Sequence, residues 1–258
     1  MPLVFAAVVP HAPLLVPAVA KEHQRLTAAT RQQLARLAEE LHASQPDGLI
    51  LFTPHGPVIN DVLVANVADE YLGELVEFGD LKTRLRVRGA PWLGHRFKEL
   101  AESLHLPLQL QTLPRLDYGT TVPLKFLLAG QPGLPILPLT VAHQPESLLV
   151  RFGRVVSSVV QSDRRRYALV ASGDLTRRSE TTANFQRPTA EERAMAEAIS
   201  RLSIDPLTDV TIQPSTCGYR PMYLLLASLQ GRPGRGVIRS FEAPLKVGLL
   251  TAGFELNP

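Results

Sequence analysis

The sequence predicts an α/β fold, a three-layer αβα sandwich around a mixed, mostly parallel sheet. Three observations support this. Short apolar runs rich in β-branched residues recur along the chain and are bounded by breakers, as suits strands buried on both faces. Longer segments between them carry apolar residues at three-to-four spacing, the stripe of a helix with one buried face. The two kinds of segment alternate, which is the order of a sheet covered by helices.

Taken in order, residues 3–9 are the first strand. Leu26, Ala29, Leu34, Leu37, Ala38 and Leu41 form the first helical stripe, and residues 49–53 the second strand. Weaker strand patterns at 62–67 and 106–110 flank a helix marked by Leu93, Phe97, Leu100 and Leu104. A strand at 135–141 precedes a helix carrying Leu148, Phe152, Val155, Val156 and Val159, and residues 167–171 form the next strand. Ala194, Ala198, Ile199 and Leu202 mark a helix behind a Thr189 cap, with Glu192 three residues on as in a capping box. Met222, Leu225, Leu226 and Leu229 mark the last helix, and the closely spaced runs 237–241 and 247–254 suit an antiparallel pair. No low-complexity linker interrupts residues 1–258, so they read as one domain.

Composition narrows the function classes. Hydrophobic content of 45% and charged content of 20% suit a packed core and argue against disorder. The net charge is only +3, and the runs Arg164-Arg165-Arg166 and Arg177-Arg178 lack the aromatic interleaving of a nucleic-acid platform. The single cysteine, Cys217, allows no disulfide within the chain, which points to a reducing compartment. Residues 2–20 are apolar, but they follow no basic leader and are broken by Pro10, Pro13 and Pro17. A cytoplasmic protein with neither a nucleic acid nor a membrane as partner is therefore expected.

Two strands end in nearly the same words, Val9-Pro10-His11-Ala12-Pro13 and Thr53-Pro54-His55-Gly56-Pro57. Each places a histidine on a stiff turn beyond a buried strand. The carboxyl ends of parallel strands share one rim, where ligands bind, so the two imidazoles are expected to face one cavity. Two imidazoles and one carboxylate make the facial triad of a non-haem Fe(II) site. Glu242, in Ser240-Phe241-Glu242-Ala243-Pro244 at the end of an apolar strand, is the carboxylate chosen. A salt bridge to an arginine is the alternative role for it. Asp174 and Asp117 also follow strands and could orient a ligand histidine or cap a helix. Cys217 precedes a helix, where a thiol is acidified and can bind metal. His23, His42, His95, His105 and His143 have no comparable setting.

Six segments together resemble a known family. They are residues 9–14, 54–56, Leu116-Asp117-Tyr118-Gly119-Thr120-Thr121-Val122-Pro123-Leu124, Ser172-Gly173-Asp174-Leu175, Cys217-Gly218-Tyr219-Arg220-Pro221 and Phe241-Glu242-Ala243-Pro244. In this order they resemble the catalytic, LigB-type subunits of class III extradiol dioxygenases and their Memo-like relatives. The resemblance implies an α/β sandwich that opens an aromatic diol ring on Fe(II), zinc or another divalent metal being the alternative ion. It implies His11, His55 and Glu242 as metal ligands, with Cys217 as the alternative third ligand by analogy with the Memo-like proteins. It also implies a small aromatic substrate, and a second copy or a small partner subunit. The catalytic positions it marks are Tyr118, Asp174 and Arg177, but Tyr118 and Arg177 stand where the dioxygenases carry acid/base histidines. Arginine stays protonated at any working pH and tyrosine is a weak base near neutrality. Ring cleavage would then be impaired or altered, and the alternative is a Memo-like metal-binding or partner protein without it.

Overall fold

The computed structural model describes residues 2–175, 188–208, 210–211 and 216–256. In chain order the elements are β1 (Leu3–Val9), α1 (Pro17–Ala20), α2 (Ala28–Ala43), β2 (Gly48–Thr53), β3 (Leu63–Asn66), β4 (Glu70–Leu75), β5 (Asp80–Arg88), α3 (Pro91–Ser103) and β6 (Leu108–Gln111). They continue with β7 (Arg115–Leu116), α4 (Tyr118–Leu127), β8 (Ile136–Thr140), α5 (Glu146–Gln161), β9 (Tyr167–Ser172), α6 (Ala190–Arg201), α7 (Tyr219–Leu229), β10 (Gly234–Glu242) and β11 (Leu249–Leu256).

The main sheet has eight strands in the order β10-β11-β1-β9-β2-β8-β3-β6. Its centre is parallel: β9 pairs with β1 on one side and β2 on the other, and β2 with β8. The antiparallel pairs are β3 with β8, β1 with β11 and β10 with β11. Every residue of β2, β8 and β9 is buried, because helices cover both faces. One face packs on α3, α5, α6 and α7 through Phe97, Phe152, Ile199 and Leu225. The other packs on α2 and α4 through Leu34, Leu37, Val122 and Leu124. This is the three-layer sandwich with a mostly parallel sheet.

The strands and helices argued from apolar runs are present, and Thr189 and Glu192 form the capping box at the start of α6. Two features were not anticipated. A second, three-stranded sheet, β5-β4-β7, extends from the body. Its β5 exposes Lys82, Arg84, Arg86 and Arg88 at alternate positions, and those charges hide the apolar partners of the alternation. Helix α4 contains Pro123 after the run Thr120-Thr121-Val122, a local sequence that disfavours a helix.

Candidate metal centre

The site lies where three adjacent parallel strands end. His11 follows β1, Asp174 follows β9 and His55 follows β2, and β9 lies between the other two. Two helix N-termini complete the rim. Asp117 caps α4 and Tyr118 opens it, while Cys217 precedes Gly218, the N-cap of α7. Gly218 N–H donates to the Asp174 carbonyl at 2.9 Å. A Cβ on Gly173 would fall 2.0 Å from Gly218 Cα, so only glycine allows the β9 loop and the start of α7 to meet. That close approach carries Cys217 to the histidines.

The ligand atoms of His11, His55 and Cys217 all lie within 4.8 Å of one another. His55 Nε2 is 3.2 Å from His11 Nε2, and Cys217 Sγ is 3.4 Å from the same His11 nitrogen. Donors bonded to one first-row ion at about 2.0–2.3 Å sit roughly 3–3.5 Å apart, so these contacts have the spacing of ligands to one cation. The three groups enclose a cavity of about 270 Å³ together with Tyr118, Asp174 and Val247.

The tautomer of His11 follows from its partners. Pro123 has no N–H, so the carbonyl of Gly119, four residues earlier in α4, lacks its helical donor. The Ser172 hydroxyl donates to that carbonyl instead. Its one proton is then committed, and the 3.1 Å contact with His11 Nδ1 requires Nδ1–H to donate to Ser172 Oγ. His11 Nε2 is left as a lone pair facing His55 and Cys217. Asp174 fixes the loop that carries it, since Oδ1 accepts from the amides of His11 at 2.9 Å and Ala12 at 3.1 Å. Its other oxygen lies 3.8 Å from His11 Nε2.

His55 is seated by α4. Asp117 accepts from Thr120 N–H at 2.9 Å and from the Thr53 hydroxyl at 3.2 Å, and Thr53 Oγ1 in turn accepts the His55 amide at 3.2 Å. Gly119 passes directly beneath the ring, where a Cβ would come within 2.7 Å of His55 Cδ2. Tyr118 covers the pair, its ring centroid 4.4 Å from that of His55 and 5.5 Å from that of His11.

Burial lowers the pKa of His11 to about 4 against an opposing pull from Asp117. Burial and the neighbouring His11 bring His55 to about 4 as well, although Asp117, Asp174 and Glu77 oppose the shift. Both imidazoles are therefore neutral at pH 7, the form that binds metal. Burial, with the negative groups of Cys217, Asp174 and Asp117, raises Tyr118 to about 12, so its hydroxyl keeps its proton and acts as a hydrogen-bond donor.

Glu242 does not join the histidines. Its Oε2 accepts from the Thr30 amide at 2.8 Å and the Thr30 hydroxyl at 2.5 Å, in the first turn of α2. Thr27, the N-cap residue of α2, makes no side-chain cap, and the carboxylate from the end of β10 supplies it. The third donor among the described residues is the thiol of Cys217, which the sequence reading held as the alternative. Arg177 lies outside the described residues. Asp174 and Tyr118 are both at the site, the first through the His11 loop and the second through ring contact. Sequence reasoning missed Ser172, although it closes a strand beside Gly173-Asp174. It also set aside His143, which lines a cavity shared with His55 and Cys217.

Two neutral imidazoles and a thiol fit a borderline-soft transition ion such as zinc or iron, and do not by themselves form a two-histidine, one-carboxylate triad. The comparisons agree with this fold. Residues 5–227 match the family model for the catalytic LigB subunit of aromatic ring-opening dioxygenase. The chain is 27% identical to protein CA_C1420 of Clostridium acetobutylicum over 257 aligned positions, covering 93% of this chain and 54% of the relative, so it spans about half of that protein's length. Its fold is similar to the crystal structure of the uncharacterized protein JW3007 from Escherichia coli K12, with a TM-score of 0.67, 14% identity, and coverage of 97% of this chain and 99% of that one.

Proposed function

The chain belongs to the LigB family of aromatic ring-opening dioxygenase catalytic subunits, and from that premise we propose that it is a Memo-like metal protein whose ion is held by His11, His55 and Cys217. The observation that carries this reading is the convergence of those three donors within 4.8 Å. The thiolate takes the place that a carboxylate would have in an iron triad. When bound, the metal supplies Lewis acidity to a substrate oxygen in the cleft. The protein does the rest. Ser172 and the Asp174-held loop orient His11, and Asp117 with Gly119 seats His55. Tyr118 donates its proton to a substrate oxygen without releasing it.

The test is the metal content of protein purified without oxygen. The wild-type chain is expected to hold close to one equivalent of iron or zinc, and His11→Ala and Cys217→Ser to lose it. Full metal retention by Cys217→Ser would overturn the ligand set.

A second reading, ring opening of an aromatic diol on Fe(II), is favoured by the family match over residues 5–227. Tyr118 does not supply its proton acceptor: with its pKa near 12, it stays protonated at pH 7. The loss of such a base costs about 100- to 10,000-fold. Oxygen uptake by the Fe(II)-loaded protein with catechol or protocatechuate would decide for it.

A further inference from the structure

The three-stranded sheet ends on an uncovered strand. In the order β5-β4-β7, β5 has a neighbour on one side only. Residues 84–88 pair with β4, and among the described residues none of their backbone groups bonds outside that pairing. In an antiparallel pair, alternate residues turn their N–H and C=O away from the partner. The outer side of β5 is therefore a row of free donors and acceptors, the template for one more strand.

Its side chains say what kind of strand. Lys82, Arg84, Arg86 and Arg88 are exposed at every second position, about 6.8 Å apart on an extended chain. Arg84 meets Glu74 at 3.4 Å while staying 75% exposed. Lys82, Arg86 and Arg88 form no ion pair with a described residue. The nearby carboxylates, Asp69, Glu70 and Glu74, lie on or beside β4. A strand added outside β5 would lie about 4.8 Å from it and about twice as far from β4, so its side chains meet the cations first. Four like charges in alternation oppose pairing of β5 with a second copy of itself. Neither β4 nor β5 exposes an aromatic ring on which a nucleic-acid base would stack. Leu81, 72% exposed, stands at the start of β5, and the turn before it holds Phe78, whose ring centroid is 5.2 Å from that of Tyr118. One end of the edge thus adjoins the cover of the metal centre.

We propose that the outer edge of β5 docks an acidic polypeptide segment as an added strand beside the metal cleft. The partner carries aspartate or glutamate at alternate positions. An added strand has the same two-residue repeat, so each acidic side chain faces one cation while the backbones complete the ladder. The proposal does not depend on which residues bind the metal.

The experiment is fluorescence anisotropy of the full chain with a labelled nine-residue peptide that has glutamate at alternate positions and threonine or valine between. Controls are its glutamine counterpart, a rearrangement with the glutamates consecutive, and a ten-nucleotide oligothymidylate. At low ionic strength the alternating peptide is expected to bind at least about tenfold more tightly than the glutamine peptide, the sum of a few exposed ion pairs, and the advantage should shrink as salt rises. The double variant Arg86→Gln, Arg88→Gln should lose the preference, with melting curves confirming that it folds. Methyl groups on alternate peptide nitrogens separate strand addition from charge attraction: one set of positions should abolish binding and the other should spare it, because only one set faces β5. Equal binding of the glutamate and glutamine peptides, an unchanged preference in the double variant, or equal effects of the two methylation patterns would each overturn the proposal. So would tighter binding of the rearranged peptide or of the oligonucleotide, or no peptide binding at millimolar concentration.

Discussion

Among single residues, Ser172 decides more than its size suggests. It is fully buried at the end of β9, and its hydroxyl links the Gly119 carbonyl to His11 Nδ1. Removing it strands a buried carbonyl and frees His11 to take either tautomer. Ser172→Ala is therefore expected to lower metal affinity about 10- to 100-fold, as losses of groups that orient a ligand histidine do. Competition titration with a chromophoric chelator, well below the variant's melting temperature, reads this directly. Unchanged affinity would mean that the tautomer is set by the metal alone. Nothing in the local sequence Ala171-Ser172-Gly173 announces this role, because it depends on a proline four residues beyond a glycine in another element.

At the scale of elements, the helix N-termini organise the site. Helix α4 brings Asp117, Tyr118 and Gly119 to His55, and α7 brings Cys217. Helix α2 is finished by a residue from outside it, Glu242, which accepts the Thr30 N–H and hydroxyl of its first turn. The charge at the end of β10 was legible as one needing a partner, and the partner the structure shows is the α2 terminus. Glu242→Ala is expected to cost about 1–3 kcal/mol, the range for losing hydrogen bonds from a charged acceptor. It should leave metal content at the wild-type level. Denaturant melts and metal analysis of one preparation test both parts, and loss of metal with stability intact would restore Glu242 to the centre.

For the molecule as a whole, the strand order is what makes a site possible. β9 inserts between β1 and β2, so segments separated by more than a hundred residues end side by side. The opposite edge of the sheet is tied by charge. Asp163, on the turn into β9, accepts from the Tyr167 hydroxyl at 2.6 Å and the Arg165 amide at 3.1 Å, and pairs with Arg96 of α3. Burial pushes its pKa up, yet these donors outweigh burial and hold it at about 2, below the usual 3.8. A depressed carboxylate stabilises the fold above its unfolded pKa, and the contribution fades as pH falls through the folded one. Wild type should therefore exceed Asp163→Asn by roughly 1 kcal/mol at pH 7, solvent screening allowed for, and the gap should close between about pH 4 and pH 2. A gap that stays constant across that window would show that packing carries it, not the charge.

From the sequence alone came the layered fold, the strands of its main sheet, the helices α2, α3, α5, α6 and α7, and the pair His11 and His55 on proline-stiffened turns. Those signals are local: a buried strand shows its apolar run, and a histidine beyond it shows its position on the rim. The order of strands, the approach of Cys217 to the two histidines, the seating of Glu242 on α2, and the Pro123–Gly119–Ser172–His11 relay came only with the tertiary structure. Each depends on contacts between segments far apart in the chain, and a strand-end carboxylate carries no mark of whether it will meet a metal or a helix. The physical reason is that ligand sets form where backbones can approach, and here Gly173 against Gly218 decides that approach.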